Sequence, residues 1–113
     1  MVNFKVVVFD FDGTLVPSNI FKKELYYELL REKSSKEAIH KIVDSSYGSC
    51  SRKEIFSRIS SNLSLDLDVE NMLDMYNNEY KNYLLQVKPM EGFSMLFDYL
   101  QSSSIKSCIN TAN

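Results

Sequence analysis

Asp10-Phe11-Asp12-Gly13-Thr14 holds the residues whose types and spacing suit chemistry. Two aspartates two positions apart on an extended chain project to the same side, so both carboxylates can address one ligand. Like charges this close repel unless a cation lies between them or one is protonated, which predicts Mg²⁺ binding or acid–base work. Gly13 permits a sharp turn and, lacking Cβ, lets a ligand approach the backbone. The plainer reading is a strand-ending turn, for which Asp and Gly are also favoured. A calcium loop does not fit: counted from Asp10, Leu15 takes the sixth position, where Gly is required, and Phe21 the twelfth, where Glu is. With three glycines in the chain there is no P-loop or dinucleotide fingerprint.

Two kinds of element must position this segment. Phe4 to Phe9 is short, rich in β-branched and aromatic residues and apolar on both alternating faces, which predicts a strand buried in a parallel sheet and ending at Asp10. Open α/β sheets bind ligands beyond the carboxyl ends of such strands. From Ser18 to about Gln86 the pattern is helical. Phe21, Leu25, Leu29 and Leu30 give one apolar face, Ile39, Ile42 and Val43 a second, and Ile55, Phe56 and Ile59 a third. A longer stripe runs from Val69 through Tyr76, Tyr80 and Tyr83. Ser34-Ser35-Lys36-Glu37 and Ser51-Arg52-Lys53-Glu54 both have capping-box spacing. Four helices with short connections predict a small bundle. Beyond Pro89, Phe93, Leu96, Phe97 and Leu100 predict a further helix, and Ile105 to Asn110 a second strand in which Cys108 is a buried, inert hydrophobe.

The chain is thus expected to be α/β, with residues 1–17 and 87–113 forming a partial parallel-sheet core and residues 18–86 an inserted helical bundle. Its 113 residues suit one domain with at most a small addition, and a net charge of −2 argues against a nucleic-acid partner. The longest apolar run, Val6 to Phe9, predicts no membrane span, and Met1 to Lys5 carries no secretory leader. Two distant cysteines suit a reducing compartment, so a cytoplasmic location is expected. His40, the Tyr76-Tyr80-Tyr83 stripe and the Arg52-Lys53 pair read by default as rim, packing and solvated-face residues.

The run Val7 to Val16 resembles the first motif of the haloacid dehalogenase superfamily, an apolar strand followed by Asp-x-Asp-Gly-Thr. The helical insertion resembles the cap of its phosphoglycolate phosphatase and β-phosphoglucomutase branch. Lys88 to Phe93 and the strand leading to Thr111 resemble that branch's return to the core and second motif, although Asn110 stands where an apolar residue is usual. The resemblance implies a Rossmann-like core and a phosphatase acting on a small phosphorylated metabolite, with a phosphomutase as the nearest alternative. By the same resemblance Asp10 is the nucleophile, Asp12 the general acid and base, and Thr111 a donor to the phosphoryl group. Mg²⁺ would be held by the Asp10 carboxylate and the Asp12 main-chain carbonyl. The family's third-motif Lys and fourth-motif acidic residues have no counterpart up to Asn113. An N-terminal fragment, inactive by itself, is therefore expected, with a non-catalytic assembly protein as the other class.

Overall fold

A computed structural model describes residues 5–110. The elements run β1 (Val6–Asp10), α1 (Asn19–Leu30), α2 (Lys36–Ser46), α3 (Arg52–Asn62), α4 (Val69–Gln86), α5 (Phe93–Ser102) and β2 (Lys106–Asn110). They divide into two compact units, Met1–Asn19 with Val87–Asn113, and Ile20–Gln86.

In the sheet unit β1 pairs in parallel with β2, in a register running from Val6 opposite Lys106 to Asp10 opposite Asn110. Parallel neighbours need a long crossover. Its final element here is α5, which starts where Gly92 adopts φ 85°, a left-handed conformation that favours glycine. Phe9 meets Phe93 of α5 edge to face, with ring centroids 5.8 Å apart. The expectation of a fully buried first strand is corrected. Val7 and Phe9 are half-buried, but Val6 is 51% and Val8 59% exposed. Alternating exposure follows because α5 is the sole helix among the described residues of this unit and covers one face of a sheet patterned to be covered on two. Cys108 is exposed on β2 for the same reason, not buried as its sequence context predicts.

The helical unit has its own core. Leu25, Tyr26 and Leu30 of α1, Ile39 and Val43 of α2, Ile55, Phe56 and Ile59 of α3, and Met72, Tyr76 and Tyr80 of α4 are all buried in one cluster. All but Tyr26 lie on the apolar faces that 3.6-residue periodicity predicts, whereas Phe21 and Leu29, also expected on the first face, are only partly buried against the cluster. The capping box at the start of α3 forms as expected: Glu54 N donates to Ser51 Oγ at 3.2 Å and Ser51 N to Glu54 Oε1 at 3.4 Å. At α2 the expected box shifts by one residue. Ser35, not Ser34, is the N-cap and accepts from Ala38 N at 3.2 Å, so Glu37 falls one position short of closing a box.

Two core tyrosines tie stability to pH. Tyr76 Oη donates to the Lys22 carbonyl at 2.7 Å, which satisfies a hydroxyl that burial would otherwise leave costly. Burial pushes the Tyr26 phenol up to about 12 and raises Tyr76 as well. An unfolded tyrosine ionises near about 10, so the stability held by the two neutral phenols is complete below that pH and declines as pH rises through the folded values. Helical circular dichroism should therefore fall between about pH 10 and pH 12. A signal flat across that range would contradict the packing described.

Candidate active site

The segment after β1 is a tight, internally bonded loop. The Phe11 carbonyl accepts from the backbone N–H of Thr14, Leu15 and Val16 at 3.3, 2.9 and 3.3 Å, while Gly13 N donates to the Val16 carbonyl at 2.8 Å. Gly13 has φ 74°, a left-handed conformation that favours glycine, and a Cβ built there would force the Asn19 side-chain amide to move. Leu15 and Val16 are buried, anchoring the loop by its apolar tip. Met90 N donates to the Leu15 carbonyl at 2.6 Å, which fastens the loop to the segment leading into α5.

The two aspartates occupy different environments. Asp10 ends β1, exposed, and its Oδ1 accepts from Phe11 N at 2.9 Å. Asp12 is half-buried, forms an isolated parallel bridge with Val16, and accepts at Oδ1 from the Ser18 hydroxyl at 2.5 Å. Ser18 is fully buried. Asn110 sits opposite Asp10 in the register, so β2 ends level with β1. Thr111, the expected phosphoryl donor, lies outside the described residues.

An apolar groove of about 250 Å³ opens beside the loop, lined by Phe9, Thr14, Leu15, Glu91 and Phe93 among others. Neither Asp10 nor Asp12 lines it. Among the described residues no cluster of three or more His, Cys, Asp or Glu side chains could hold a metal. The Asp10 carboxylate and the Asp12 main-chain carbonyl are nonetheless hard oxygen donors that suit Mg²⁺, which takes one or two protein carboxylates and fills its octahedron with water and substrate phosphate.

Ser18 and Asn19 are the residues that sequence reasoning missed here. Ser18 opens the stretch that reads as helical and Asn19 follows it, and both residue types favour a helix start, which accounts for them without a second role. Asp12 six positions earlier, across a Gly-containing turn, was the available signal for a second role. Elsewhere, Arg52 is held within the helical unit rather than simply solvated. Its guanidinium lies 4.9 Å from the Tyr76 ring centroid and 5.2 Å from that of Tyr80, and it donates to Asn77 Oδ1 at 2.9 Å. His40 lies edge-on to Tyr27, with its Nε2 3.6 Å from a Glu24 carboxylate oxygen.

Residues 7–113 match the family model described as haloacid dehalogenase-like hydrolase. No curated protein shows a significant match to the chain. Among solved structures, a HAD hydrolase, family IA, variant 3, from Entamoeba histolytica HM-1:IMSS is 22% identical with a TM-score of 0.72, the alignment covering 98% of this chain and 50% of that one. A protein assigned as a beta-phosphoglucomutase from Thermotoga maritima is 19% identical, also with a TM-score of 0.72, over 96% of this chain and 50% of its own. The chain therefore spans half the length of the structures it resembles, and at these identities the likeness shows the fold.

Proposed function

The chain belongs to the haloacid dehalogenase-like hydrolase family, and from that membership we propose that it is the N-terminal portion of a phosphohydrolase acting on a small phosphorylated metabolite. The observation that carries this reading is the Asp10-to-Thr14 loop: an exposed carboxylate at the carboxyl end of a parallel strand, followed by a second carboxyl group held by a buried hydroxyl. Asp10 Oδ attacks phosphorus, and the bond from phosphorus to the leaving oxygen breaks as Asp12 gives that oxygen its proton. Asp12, now a carboxylate, takes a proton from water as the water attacks phosphorus, freeing phosphate and restoring Asp10. Asp10 and the Asp12 main chain would hold Mg²⁺, whose charge offsets repulsion between the carboxylate and an anionic phosphate.

In the same reading the helices of residues 18–86 form a cap, Thr111 donates to the phosphoryl group, and the lysine and further acids of the complete site come from sequence beyond this half. By itself, the chain is then inactive. No helix among the described residues is long and apolar enough to cross a membrane, and a cytoplasmic setting agrees with the two free cysteines.

A phosphomutase is the second reading, favoured by the structural likeness to the Thermotoga maritima protein. Product analysis of the complete gene product with a sugar phosphate separates the two. Release of inorganic phosphate as the main product is the expected result. A positional isomer of the sugar phosphate would assign the mutase, and neither product from a panel of phosphate monoesters would contradict both.

A further inference from the structure

We infer that Ser18 is a positioning residue for the Asp12 carboxylate, an inference that rests on the acid–base role proposed for Asp12. Ser18 is completely buried, and a buried hydroxyl without a partner is costly. It donates to Asp12 Oδ1 at 2.5 Å, in the short range typical of a hydroxyl bound to a carboxylate. The atoms on either side of this bond are fixed by the backbone. Ser18 N donates to the Val16 carbonyl at 2.9 Å, Gly13 N donates to the same carbonyl at 2.8 Å, and Asp12 bridges to Val16. Ser18 and Asp12 are therefore both referenced to Val16, which is itself buried. The Asn19 side-chain amide fills the space that a Cβ on Gly13 would take.

This arrangement sets which way one carboxylate oxygen points without occupying the strand end where Asp10 stands. A group that first protonates a leaving oxygen and then deprotonates water must lie within hydrogen-bond reach of both, and a misplacement of about 1 Å can cost about a hundredfold in rate. Losing the Ser18 hydroxyl removes a buried contact that orients the Asp12 carboxylate while Asp10 stays in place. The defect should thus fall on the two proton transfers of Asp12, of which kcat/KM reports the first, the protonation of the leaving oxygen.

Leaving-group dependence in the complete gene product tests the inference. Asp12→Ala should lower kcat/KM for an alkyl phosphate, whose leaving oxygen needs a proton, far more than for 4-nitrophenyl phosphate, whose leaving group does not. Ser18→Ala should show the same selective loss, about 10- to 100-fold on the alkyl phosphate, and should add nothing in the Asp12→Ala background. If Ser18→Ala does not fold, Ser18→Thr against Ser18→Val repeats the comparison, since the two differ by the hydroxyl in nearly the same shape, and Thr alone should retain the alkyl phosphate rate. Selective loss in Asp12→Ala but an equal loss on both substrates in Ser18→Ala, or none, overturns the role of Ser18. No selective loss in Asp12→Ala overturns the acid–base reading beneath it.

Discussion

Replacing Phe56 by Ala should destabilise the helical unit by about 3–5 kcal/mol, the usual cost of removing a buried aromatic ring from a packed core. Phe56 is fully buried, and its ring centroid lies 4.9 Å from that of Tyr26 and 6.0 Å from that of Tyr76. The Tyr76 hydroxyl is fixed by its bond to the Lys22 carbonyl, so that ring has little freedom to move into the space vacated. Small domains hold only about 5–15 kcal/mol in total, so the variant should be largely unfolded in mild denaturant. Urea titration followed by circular dichroism measures this. A loss below about 1 kcal/mol would mean the three rings do not form the centre of the unit.

Asp10→Asn in the complete gene product should lower turnover on the order of 10³-fold or more, the scale seen when a catalytic nucleophile is removed. The amide keeps the shape of the carboxylate, and its oxygen can still accept from Phe11 N, so the turn should survive. What it loses is the charged oxygen able to bond to phosphorus. An unchanged thermal midpoint alongside lost turnover is the expected pair of results. Retained turnover would place the nucleophile elsewhere.

Much of this was legible from side-chain pattern alone. The four apolar stripes from Phe21 to Leu84 map onto four helices and predict most of their buried faces, Tyr26 excepted, because each stripe is closed within one unit of the fold. The alternating exposure of β1 was not legible. Val6 and Val8 carry the composition of a strand covered on both faces, and composition records the sheet that a strand is built for, not the number of layers present. At the site, Asp10, Asp12 and Gly13 stood out because their types and spacing are unusual. Ser18 did not, since its contact with Asp12 depends on how the loop between them folds. The misplaced cap at Ser34 has a similar cause: with Ser at both 34 and 35, the backbone dihedrals select the capping residue.

The most direct test of Asp10 as the phosphoryl acceptor is to trap the intermediate. The complete gene product, quenched during turnover and treated with hydroxylamine, should yield a hydroxamate on the peptide spanning the β1 end, at Asp10 and in no other position. Asp10→Asn should yield none. Turnover of a phosphate monoester with Asp10 unmodified under the same quench would contradict the account.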